Sequence, residues 1–112
     1  TMDDSQTNPG VNVTFPSGAT RHSIESRVRY DLITPFGLRR LAMTCAEGAA
    51  RYGEHNWEKG IPTDNLLNHL INHIELWRSG DRSEDHLAHA AWGLLAIMHF
   101  ESAGVYLPLM GM

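Results

Sequence analysis

From residue 34 onward, apolar positions recur every three or four residues in three stretches, each bounded by residues that start or stop a helix. The first stretch is predicted to run from Thr34 to Tyr52, with Thr34 as N-cap, Pro35 at the first helical position and Gly53 as the stop. Phe36, Leu41, Cys45, Ala49 and Tyr52 form its apolar stripe. The second begins at Thr63 or Asp64, carries Leu66, Leu67, Leu70, Ile71, Ile74 and Trp77 on a broad face, and ends at Ser79 and Gly80. The third is predicted to start from Ser83 as N-cap, with Glu84 and Asp85 at the positive end of the helix dipole. Leu87, Ala88, Ala91, Trp92, Leu94, Leu95, Ile97 and Met98 make its interior apolar almost all round, so it must be covered on most sides. Three helices of this length cover such a helix incompletely, which points to a second copy completing a four-helix-type core.

Residues 1–28 read differently, with Pro9, Gly10, Pro16 and Gly18 among polar residues and only Val11, Val13 and Phe15 alternating. The expectation is an all-α fold: an extended arm over 1–28, a helical domain over 29–104 completed by oligomerisation, and an apolar tail over 105–112. That tail, with Tyr106, Leu107, Leu109 and Met110, is suited to clamp the partner copy of a homodimer or homotetramer.

Composition narrows the function. The 112 residues make one ordinary globular domain, 42% hydrophobic and 20% charged. A net charge of −4 argues against a broad nucleic-acid surface. The basic residues are eight Arg and only Lys59, and the planar arginine fork suits a local anion site. A single cysteine, Cys45, excludes an intrachain disulfide and reads as a small buried hydrophobe. No run reaches the roughly 18 apolar residues of a membrane helix, and the polar start does not read as a signal peptide, so a soluble cytoplasmic protein with no membrane partner is expected.

Six of the seven histidines fall between positions 55 and 99. His69 with His73, and His86 with His89, sit at spacings that put each pair on one helix face. The short turn at Gly80 brings them near Glu84 and Asp85, which makes His73, Glu84, Asp85 and His89 candidate ligands for a divalent metal; the alternative is interface histidines bonded to carbonyls or water. Glu47, one turn before Arg51, is either half of an exposed ion pair or a working carboxylate. Glu75 reads as solvated beside Arg78, and Asp81 as part of the turn that initiates the third helix. The loop Tyr52 to Gly60 mixes Tyr52, Asn56, Trp57 and Lys59, a set that can stack on a base, read its edge and neutralise a phosphate, or else simply pin the loop through Trp57. Arg29 either touches phosphate or pairs with Asp31. There is no Gly-rich phosphate loop, CxxC or GxSxG, and no candidate for covalent catalysis.

Taken in order, Arg29 to Pro35, Glu47 to Gly53, Asn56 to Gly60, His73, Gly80-Asp81 and Glu84 to Trp92 resemble the dATP/dGTP diphosphohydrolases found largely in phages, over residues ~18–102. The resemblance implies kinship with MazG-like all-α nucleotide pyrophosphohydrolases, helical dimers or tetramers that use Mg²⁺ or Mn²⁺ to cleave between the α- and β-phosphates of a nucleoside triphosphate. For a phage-encoded protein this would occur in the host cytoplasm. By position it carries His73, Glu84, Asp85 and His86 to the metal and phosphate end, and Tyr52, Asn56, Trp57 and Lys59 to the nucleotide end. Glu47, His73 and Asp85 are the catalytic candidates; Arg29 and His86 join the nucleotide-binding ones. The paired-glutamate helices usual in MazG-like proteins are missing, and Gly93 stands where the resemblance implies Asn. Histidines in place of acids favour Mn²⁺ over Mg²⁺. A catalytically silent nucleotide-binding or assembly module is the alternative. An HD-type phosphohydrolase fits less well, because Asp85-His86 reverses that dipeptide.

Overall fold

Thr34 and Pro35 start the first helix as their chemistry dictates. In the computed structural model, which describes residues 12–22 and 27–104, the Thr34 hydroxyl accepts the Gly37 N–H at 3.3 Å and Pro35 opens α1, Pro35–Tyr52. Gly53 ends it at φ 97°, a backbone region that glycine enters without strain. α2 spans Thr63–Arg78, where Ser79 closes the last turn and Gly80 reverses the chain at φ 102°.

α3 spans His86–Ser102, two residues later than Ser83 as N-cap would have placed it. The Asp81 carboxylate takes both the N–H and the hydroxyl of Ser83, at 2.8 and 2.6 Å, which closes a separate turn and leaves Ser83 unable to cap. Asp85 caps instead, accepting the Ala88 N–H at 3.2 Å.

Among the described residues the architecture is all-α apart from one small hairpin, and the chain divides into two units, 1–33 and 34–112. In the first, β1 (Asn12–Thr14) pairs antiparallel with β2 (Thr20–His22), Val13 opposite Arg21. The arm is therefore a hairpin over these residues and not one extended piece. Its second strand carries no apolar alternation, so backbone pairing alone reveals it. A short 3-10 turn, Tyr30–Leu32, follows. The expectations for residues 1–11, 23–26 and the clamping tail 105–112 lie outside the described residues.

In the second unit α2 and α3 form a helical hairpin, and α1 packs on α3 far more than on α2. Leu66, Ala96 and Phe100 make the centre of the core, with Trp57, Ile61, Trp92 and Ile97 packed around them. Gly93 lies where the hairpin is tightest. A Cβ there would stand 3.1 Å from Leu70 Cβ, so the missing side chain lets the helices approach.

The predicted stripe on α1 is only partly used. Leu41 and Ala49 are half-buried, but Phe36 is 81% exposed and Cys45 and Tyr52 are exposed too, because α1 has a single main neighbour. Leu67, Ile71 and Ile74 on α2, and Leu87, Leu94, Leu95 and Met98 on α3, also keep substantial exposure. Among the described residues, no helix is long and apolar enough to cross a membrane.

Candidate functional site

Because α1 and α2 both lean on α3 more than on each other, a cleft of about 820 Å³ opens beside them, with Trp92, Gly93 and His89 of α3 among its lining. Glu47, Arg51 and Tyr52 come from α1, Asn56 and Trp57 from the following loop, and His69 and His73 from α2.

Near the turn between α2 and α3, three side chains converge. One ligand atom each from His73, Glu84 and His89 lie within 4.8 Å of one another, close enough to share a cation. Glu84 is their hub, with one carboxylate oxygen 2.8 Å from His89 Nδ1 and 3.5 Å from His73 Nδ1. Burial, and then the neighbouring His89, hold the His73 ring below the usual imidazole range, which keeps it in the neutral form that binds metal. Glu47 reaches this cluster from α1, its Oε2 lying 3.4 Å from His89 Nε2. That contact, and not a pair with Arg51, is what the structure gives Glu47.

Behind His73 the contacts continue inward. His73 Nδ1 lies 2.9 Å from His86 Nδ1, and His86 Nε2 lies 3.1 Å from Asp81 Oδ1. His86 is 2% exposed, the most enclosed of the histidines. The Ser83 hydroxyl and N–H, and then His86, hold the Asp81 carboxyl well below the usual carboxylate range.

Asp85, expected among the metal ligands, is engaged elsewhere. Its oxygens take a forked pair from Arg40 at 2.8 and 2.5 Å while one of them caps α3. The guanidinium is the main reason its carboxyl is lowered to about 2 from an ordinary 3.8. A group depressed in the folded state contributes stability that is full above the unfolded value and lost as pH falls through the folded one. Asp85→Asn keeps a capping oxygen but removes the charge. The variant is therefore expected to be less stable than the parent at pH 6, with the gap closing between roughly pH 4 and 2 in urea melts. A gap that persists at the acid end would contradict this assignment.

The loop is shaped by backbone as much as by side chains. His55 sits at φ 60°, Gly60 at φ 114°, and Asn56–Lys59 forms a 3-10 turn. Trp57 projects inward, edge-on to Trp92, His99 and Phe100 with centroids 6.1, 4.8 and 5.8 Å away. It walls the cleft while anchoring the loop to the core. Tyr52 and Asn56 line the cleft as well; Lys59 and His86 are not among its lining residues. Arg29 belongs to the first unit, where it grips Asp31 at 2.9 and 2.8 Å. Glu75 is exposed and paired with Arg78 at 2.8 Å.

Three residues carry more than the sequence suggested. Arg51, seen there only as an ion-pair partner, is the arginine that lines the cleft. Arg40 holds Asp85, and Asp81 reaches His86. For Asp81 the five-residue interval to His86 across a turn was the available signal.

Among known proteins, a family model described as the dATP/dGTP diphosphohydrolase N-terminal domain matches residues 17–106. No curated protein and no solved structure matches the chain.

Proposed function

Because the chain belongs to the dATP/dGTP diphosphohydrolase family, matching its N-terminal domain over residues 17–106, we propose that it is a metal-dependent pyrophosphohydrolase converting dGTP or dATP to the monophosphate and pyrophosphate. The observation that carries this reading is the convergence of His73, Glu84 and His89, with Glu47 beside them, on a cleft whose lining extends to Tyr52, Asn56 and Trp57. Along α3, His89 and His99 are separated by ten residues, or about 15 Å, with His99 packed on Trp57. A triphosphate at the first end would place its base toward the aromatic end.

Two imidazoles and one carboxylate fit a divalent ion that tolerates nitrogen, Mn²⁺ ahead of Mg²⁺. When bound, such an ion would neutralise phosphate charge and acidify a water. Glu47 is exposed and within reach of the cluster, so its carboxylate is the group to accept the proton as water opens the α–β anhydride. Tyr52 and Asn56 offer a ring face and an amide to the base. Arg51 supplies the guanidinium for the phosphates, a role that position in the cleft favours over Lys59. The exposed apolar stripes of α2 and α3 support a homodimer or homotetramer, since a second copy would cover them.

The test is pyrophosphate release from dGTP and dATP with Mn²⁺ or Mg²⁺; no turnover with either metal overturns the proposal. Arg51→Ala is expected to raise KM for the triphosphate about 10- to 100-fold with a smaller change in kcat, as for a lost charged hydrogen bond. An unchanged KM would remove Arg51 from the site. One observation favours a second reading, a silent nucleotide-binding module: Asp81 and Asp85 are both committed to protein partners, leaving Glu84 as the single carboxylate of the three-residue cluster. Calorimetric binding of dGTP without hydrolysis would identify that case.

A further inference from the structure

Along one side of α2, Asn65, His69 and His73 follow one another at intervals of four, and all three line the cleft. His73 marks the end where Glu84 and His89 converge. Asn65 lies two turns away, about 12 Å toward the start of the helix. That start is the aromatic end, because the next residue, Leu66, belongs to the core cluster against which Trp57 and Ile61 pack. The distance from the cluster to Asn65 matches the reach of an extended nucleotide from its phosphates to its base. Polar groups at the phosphate end are tied to one another, Glu47 to His89 and His89 to Glu84. Asn65 is exposed, and among the described residues no protein group is hydrogen-bonded to its amide. Nothing in the fold therefore fixes which side of that amide presents the oxygen and which the NH₂.

We infer that Asn65 is a specificity-determining residue, whose unpinned amide turns over to read the pairing edge of either purine. Adenine offers there an acceptor, N1, beside a donor, the 6-amino group. Guanine offers a donor, N1–H, beside an acceptor, O6. An amide complements both patterns by exchanging its oxygen and its NH₂ through a half-turn of its last torsion. A carboxylate in the same place only accepts, and guanine gives it two hydrogens, from N1 and the 2-amino group, where adenine gives one. The inference rests on the proposed nucleotide site and names the residue that admits dATP and dGTP alike.

The test is calorimetric binding of the α,β-methylene analogues of dATP and dGTP with Mn²⁺, which reads base selection without turnover. The parent is expected to bind the two within about fivefold of each other, and Asn65→Ala to bind both about tenfold more weakly, as for one or two lost hydrogen bonds. Asn65→Asp should shift the affinity ratio toward the dGTP analogue by about 10- to 100-fold. An acid suits the first turn of α2, so that variant keeps its helix. The charge it adds acts on both triphosphates alike and drops out of the ratio. Asn68→Ala, at an exposed residue outside the cleft lining, should bind both analogues as the parent does. A ratio that stays put or moves toward the dATP analogue in Asn65→Asp, parental affinities in Asn65→Ala, or a parent that prefers one purine by more than about tenfold would overturn the inference. If the switch appears while dATP and dGTP release no pyrophosphate, the hydrolase reading fails and the inference stands. Pyrophosphate release with an unmoved ratio is the reverse case, and a parent that binds neither analogue overturns both.

Discussion

Glu84→Gln is expected to reduce metal-dependent pyrophosphate release by about a hundredfold or more while leaving the fold intact. Its carboxylate is the hub between His89 at 2.8 Å and His73 at 3.5 Å, and it is the sole formal negative charge in the three-residue cluster. An amide of nearly the same shape keeps an oxygen for His89 but no longer offsets a divalent cation. The fold should be indifferent, since the side chain is exposed and the turn contact at this position uses the Glu84 backbone carbonyl, which accepts the His86 N–H at 3.0 Å. Stability within about 0.5 kcal/mol of the parent is expected for such a surface change. Paired measurements of Mn²⁺ binding and pyrophosphate release would check it. A variant with parental turnover would remove the metal from His73, Glu84 and His89.

Trp57→Ala should instead act first on stability, by about 2–4 kcal/mol, a melting temperature lower by roughly 10 °C or more. The indole packs edge-on against Trp92, His99 and Phe100 and joins the cluster around Leu66 and Ala96. Its removal leaves a void beneath the loop that presents Asn56. Trp57→Phe should recover a good part of the loss, because much of the contribution is buried ring area and edge-to-face geometry. A base-stacking tryptophan with no packing role would behave the other way, with KM raised and melting unchanged. Thermal melts of the two variants, beside their KM for dGTP, separate the two roles.

These two residues show how far the sequence alone reached. Helical periodicity, Thr34 and Pro35, and Gly53 and Gly80 located α1 and α2 to within a residue or two, because caps and breakers act through local backbone chemistry. The start of α3 was misplaced by two residues, because Ser83 and Asp85 are both good caps and only the Asp81 side chain decides between them. The histidine spacings and the acids beside Gly80 pointed to one neighbourhood, in which the structure brings together His73, Glu84 and His89. Which acid faces the cleft was not legible. Asp85 and Glu84 are adjacent in the chain, and Arg40, forty-five positions before Asp85, claims one of them.

The linear order of residues thus determined the helical class, the three segments, the family and the histidines and acids that lie near the turn between α2 and α3, since each depends on spacing along a helix or on a motif read in order. Tertiary structure decided the roles within that cluster. It turned Trp57 into a wall, put Arg51 on the cleft, exposed Cys45 and tied His86 to Asp81, because burial and ion pairing depend on which helices approach one another, and that is set by packing across the chain and not by neighbours within it.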